Sequence, residues 1–172
     1  MKIIPKNADA TALPFALPAD YAGFMARYGG GWVFPNHVRI TDPEFVDITG
    51  YDIAAVQYFL DPERLMNDLN TARETNSYPD WFIPVAAIHT GDVVLMALTA
   101  DPAMNAPNGS IWIWPRNMDL EWGDEANNRI FPIAASFSAL LNGFYFEEDE
   151  GMPPPWRRMA SPDDAPAIDL IL

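Results

Sequence analysis

Between Trp81 and Trp114 three β-rich runs follow one another with turn signals between them, and this succession constrains the fold more than any other stretch of the chain. Trp81 to Ile88 and Asp92 to Leu98 meet at Thr90-Gly91, which reads as a hairpin turn. Ser110-Ile111-Trp112-Ile113-Trp114 follows Asn108-Gly109, a strong turn dipeptide. Strands joined by hairpins run antiparallel, so the sheet is expected to be mainly antiparallel.

Helical stretches bracket this block. Pro18 suits the first helical position and Asp20 the positive end of a helix. Tyr21, Phe24, Met25 and Tyr28 then fall at i, i+3, i+4 and i+7, one apolar stripe, and Gly29-Gly30-Gly31 ends it. Asp61-Pro62-Glu63 opens a second helix with a cap, a first-turn proline and a first-turn acid, and Leu65, Met66 and Leu69 continue at helical spacing. A last helix carries Phe137, Leu140, Leu141 and Phe144 on one stripe behind Ser136 as its cap.

Trp32 to Leu60 reads as strand-like throughout. Trp32-Val33-Phe34 and Val38-Arg39-Ile40 flank Pro35-Asn36-His37, a hairpin or a tight corner, and Val56 to Leu60 is a further β-rich run. Ile130 to Ile133 is a strand end or an edge because of Pro132. The first 16 residues read as a tail or one short element, and residues 119–129 as a polar loop. Helix, strands, helix, strands, helix is not βαβ alternation. It predicts a single α+β domain, a mainly antiparallel sheet with helices packed on one face.

Composition narrows the class. A chain of 172 residues suits one domain, and its 49% apolar content supplies a core. There is no cysteine, which excludes a thiol nucleophile or a Cys-based metal site and suits a reducing compartment. Residues 1–12 hold no apolar run of signal-peptide length, and no apolar stretch reaches membrane-spanning length. The expected location is the cytoplasm. The net charge of −14 repels nucleic acid and anionic membrane and attracts basic partners.

No catalytic constellation emerges. His37 and His89 belong to no spaced ligand motif and read as turn or strand-end residues, so neither a metal nor a cofactor is expected. The glycine triplet follows a helix, whereas a phosphate cradle precedes one. Trp112 and Trp114 read as sheet residues rather than base-stacking platforms in so acidic a chain. The acids cluster in solvated-looking runs where nothing shifts a carboxyl toward acid–base work, which leaves a hydrolase with an acidic site as the minor alternative. A binding protein is the expectation, not an enzyme. The candidate partner-binding residues are Asp119, Glu121, Asp124 and Glu125 around Trp122, and the run Glu147, Glu148, Asp149 and Glu150. An aromatic ring among polar groups is the usual form of an interface hot spot, and the acids would meet a basic surface.

Three blocks in order carry a family likeness. Leu17-Pro18-Ala19-Asp20-Tyr21-Ala22-Gly23-Phe24-Met25 with Tyr28-Gly29-Gly30-Gly31 resembles the opening of the SUKH superfamily, the immunity-protein group related to fungal cell-wall assembly regulators. Ile83-Pro84-Val85-Ala86 with Gly91-Asp92-Val93-Val94-Leu95 is similar to its central hairpin, and Ile133-Ala134-Ala135-Ser136-Phe137 with Leu140-Leu141 to its last strand and helix. The family often has Asn before its Gly-Gly, where this chain has Tyr28 and Gly29. The resemblance implies a SUKH-like domain over residues 1–146. Residues 147–172 then form an acidic, Pro-rich extension, whose apolar end Ala167-Ile168-Asp169-Leu170-Ile171-Leu172 can dock as a strand or pack into a groove. It also implies a cytoplasmic immunity protein that binds and neutralises a cognate toxin, for which a nuclease or another effector with a basic surface suits the −14 charge. The alternative is a regulatory or scaffold protein of the same fold.

Overall fold

The computed structural model describes residues 1–9, 13–116, 130–145 and 168–171, which form nine strands and four helices. Helix α1 (Ala19–Tyr28) forms on the first apolar stripe, with Tyr21, Phe24, Met25 and Tyr28 all buried. Gly29 ends it in the left-handed region at φ 61°, and its N–H donates to Met25 O at 2.8 Å. The triplet also has a second role, close backbone approach. A Cβ on Gly29 would lie 2.2 Å from Ala8 N, and one on Gly31 would lie 2.3 Å from Ile4 O. Only glycine lets strand β1 (Lys2–Pro5) and the residues after it cross so near.

The remaining strands are β2 (Gly31–Phe34), β3 (His37–Arg39), β4 (Ile53–Phe59), β5 (Phe82–Ile88), β6 (Val93–Ala97), β7 (Ile111–Trp114), β8 (Phe131–Ala134) and β9 (Ile168–Asp169). Their order is β8-β7-β6-β5-β4-β2-β1-β9, with β3 also on β4. Every pair is antiparallel, as the hairpin signals predict. The fold is α+β. Pro132 lies in the edge strand β8, opposite Trp112.

Pro35-Asn36 forms a tight corner and not a hairpin. β2 and β3 both lie along β4, Gly31 opposite Phe59 and His37 opposite Ala55. Asn36 bridges the gap between them. Its main-chain O accepts from Val56 N at 2.9 Å, and its buried Nδ2 donates to Val56 O at 2.7 Å. Another part of the Trp32–Leu60 stretch departs from the strand-like reading. Residues Pro43–Thr49 form helix α2, capped by Asp42, whose carboxylate accepts from Glu44 N at 3.0 Å and Phe45 N at 3.3 Å. Seven residues are too few to display a helical stripe, and Val46 and Ile48 imitate strand composition.

Along β6 and β7 successive side chains enter two separate apolar clusters, so the sheet is covered on both faces there. Val94, Met96, Ile111 and Ile113 join the main core with α1, Phe45, Phe59 and helix α4 (Phe137–Asn142). The Phe137 ring sits 4.9 Å from those of Tyr21 and Phe24 and 5.2 Å from that of Phe59. Leu95, Ala97, Trp112 and Trp114 face the other way, against Tyr78, Ala106 and Ala72 of helix α3 (Pro62–Thr75). α3 also sends Leu65 and Leu69 into the main core. Ser136 caps α4 by accepting from Ala139 N at 3.1 Å. Asp20 serves both helices: one oxygen accepts from Tyr21 N, the other from Ser138 N at 2.8 Å and Ser138 Oγ at 3.0 Å.

β9 pairs with β1, Ile168 opposite Ile3 and Asp169 opposite Lys2, and Lys2 Nζ lies 2.7 Å from Asp169. Tyr28 holds the same segment from below. Its hydroxyl accepts from Ile171 N at 2.8 Å and donates to Ile171 O at 3.1 Å. No helix among the described residues is long and apolar enough to cross a membrane.

Candidate functional site

Asp119, Glu121, Trp122, Asp124 and Glu125, and Glu147, Glu148, Asp149 and Glu150, all lie outside the described residues. The described residues that flank them are Arg116 and Ile130 on either side of the first group and Tyr145 before the second.

Arg116 is tied to the β5–β6 turn. Its N–H donates to Asp92 Oδ1 at 3.0 Å. The Asp92 side chain is buried, and its other oxygen accepts from Thr90 Oγ1 at 2.6 Å and from the Tyr51 hydroxyl. A buried carboxylate with three donors is satisfied, and here it joins three separate pieces of chain. Burial pushes the Tyr51 hydroxyl pKa above its ordinary value, with the hydrogen bond to Asp92 and its charge adding to the rise. Tyr51 therefore stays protonated and remains a donor.

Tyr145 is held at the opposite flank. It forms an antiparallel bridge with His37, Tyr145 N donating to His37 O at 3.0 Å and His37 N to Tyr145 O at 3.3 Å. His37 opposes Ala55, whose O accepts from His89 N at 3.3 Å, and His89 begins the turn that reaches Asp92. Ladder by ladder, Tyr145 and Arg116 lie at the same end of the sheet. Tyr145, on the far edge of β3, and Arg116, just after β7, are five strand spacings apart, on the order of 24 Å at about 4.8 Å each. Ile130 is buried next to Phe131, which pairs with Ile113, and so it returns at that end too. Both acidic stretches of sequence start from one rim.

Arg39 Nη1 lies 2.8 Å from Asp52 Oδ2, both exposed, which fixes geometry more than it adds stability. His37 is the first residue of β3 and His89 an exposed turn residue, the strand-end and turn places expected of them. Among the described residues no three His, Asp or Glu side chains gather as a metal site.

Asp92 and Tyr51 carry the architecture of this rim, and the sequence reading passed over both. The signal available was an acid directly after the turn glycine, since a carboxylate there can bond the turn's own hydroxyl. Tyr51 had no such local signal, because its partner lies 41 residues away.

A model of the SMI1/KNR4 family (SUKH-1) matches residues 10–143 of the chain. No curated protein and no solved structure matches it.

Proposed function

The chain belongs to the SMI1/KNR4 family (SUKH-1), and on that premise we propose that it is a cytoplasmic immunity protein that neutralises a cognate toxin by binding it. The observation that carries this reading is the shared rim: Arg116 and Tyr145, the last described residues before the two acidic stretches of sequence, lie at one end of one sheet. Asp119, Glu121, Asp124 and Glu125 and the run Glu147 to Glu150 then act as one acidic surface, with Trp122 as the aromatic anchor. A net charge of −14 steers a basic partner to that surface and speeds encounter. The protein works by occupying the toxin, not by chemistry on it.

The nature of the partner follows from the charge. A toxin that handles nucleic acid must present a basic face, and an acidic protein competes for that face with the toxin's own substrate. The test is co-expression with the product of the gene immediately upstream of this chain's, where this reading expects the toxin to be encoded. Restored growth and co-purification of the two proteins support the reading. Cells that die regardless, with no complex recovered from the soluble fraction, contradict it.

A further inference from the structure

Helix α3 and the second face of the sheet enclose a cleft of about 190 Å³, and Asp68, Thr71, Ala72, Tyr78, Trp114 and Arg116 are among the residues lining it. Drug-sized ligands occupy about 300–1,000 Å³, so this space takes something smaller. Asp68, Thr71 and Ala72 follow one another at i, i+3 and i+4 and therefore share one helix face.

The lining has two poles of opposite character. Asp68 is open to solvent on one side, yet burial of its carboxyl raises its pKa, and the charges of Arg64 and Arg116 offset that only in part. Thr71 donates its own hydroxyl proton to Asn67 O at 3.0 Å, so that hydroxyl offers the cleft lone pairs only. The other pole donates. Arg116 carries five N–H groups that can fork onto a carboxylate. Burial keeps the Tyr78 hydroxyl protonated by raising its pKa, so it too is a donor. Ala72 and the Trp114 ring, which Tyr78 meets edge-on at 5.4 Å, supply the apolar part of the lining.

We propose that this cleft binds a free α-amino acid with an apolar side chain, its ammonium on Asp68 and Thr71, its carboxylate on Arg116 and Tyr78, and its side chain against Trp114 and Ala72. Each charge of a zwitterion answers one pole, whereas a simple amine or acid leaves the other pole unmatched. The proposal does not rest on toxin capture and stands or falls without it, although Arg116 belongs to both the cleft and the rim.

The test uses the full chain and three probes of nearly one shape: L-leucine, leucinamide (which lacks the carboxylate) and 4-methylpentanoate (which lacks the ammonium). Calorimetric titration should show L-leucine binding at millimolar concentration or below, with the other two weaker by about tenfold or more. Asp68→Asn and Arg116→Gln change solvent-exposed side chains, and each should weaken L-leucine by about tenfold or more with melting temperature near that of the parent. The proposal is overturned if leucine, valine, methionine and phenylalanine all fail to bind up to about 10 mM. It is equally overturned if leucinamide or 4-methylpentanoate binds as well as leucine, or if both variants bind leucine as the parent does.

Discussion

Removing the same oxygen from two tyrosines seven residues apart on α1 should move stability in opposite directions. Tyr21 and Tyr28 both point into the core, at 0% and 1% exposure. The Tyr21 hydroxyl finds no hydrogen-bond partner among the described residues. An unpaired buried hydroxyl costs about 1–3 kcal/mol of desolvation, which Tyr21→Phe lifts. The void left by one oxygen takes back only about 0.3 kcal/mol at about 24 cal/mol per Å³. Tyr28 is the reverse case, because its hydroxyl both accepts from Ile171 N and donates to Ile171 O. At about 0.5–1.5 kcal/mol for each bond, Tyr28→Phe should cost about 1–3 kcal/mol. For a chain of this size 1 kcal/mol is about 2–4 °C in melting temperature, so the two variants should separate clearly in urea and thermal melts. A Tyr21→Phe variant less stable than the parent would mean that its hydroxyl is bonded. A neutral Tyr28→Phe would mean that the C-terminal strand is not clasped by α1.

The fully buried Phe137 ring touches three other rings, so Phe137→Ala should cost about 3–5 kcal/mol in denaturant melts; a loss under about 1 kcal/mol would remove α4 from the core. Asp92→Ala strips three donors of their acceptor and should cost about 1–3 kcal/mol in the same assay; no loss would mean that the rim is not anchored there. Burial raises the Tyr21 hydroxyl pKa above its ordinary 10.0, so above about pH 10 only the unfolded chain ionises there, and the parent loses stability as pH rises further. Stability measured from pH 8 to 11 should therefore fall less steeply in Tyr21→Phe than in the parent.

Much of the fold was legible because its signals are local. The stripe on α1, the glycine stop, the Thr90-Gly91 turn and the Ser136 cap each depend on neighbours within a few residues, and each stands where the sequence puts it. α2 shows how a local signal can still be overlooked. Asp42-Pro43-Glu44 is the same capping sequence as Asp61-Pro62-Glu63, but only the second precedes enough chain for a stripe to appear. Long-range pairings had no signature. Asp20 reads as the start of its own helix, and nothing near it announces Ser138, 118 residues on. The rim was illegible for the same reason: Tyr51, Asp92 and Arg116 meet only through the sheet. The acidic residues themselves were easy to see, because charge shows in sequence, and what composition alone lacks is that their anchors share one end of the fold.

The central claim is that one acidic rim captures a basic toxin, and the association rate against ionic strength tests it most directly. Stopped-flow mixing with the cognate toxin should give a rate that falls by about tenfold or more as salt screens the rim. Replacing Glu147, Glu148, Asp149 and Glu150 by their amides should slow association at low salt and flatten that dependence. A rate indifferent to salt, and unchanged in the neutralised variant, would contradict the account and leave the charge of −14 with solubility as its role.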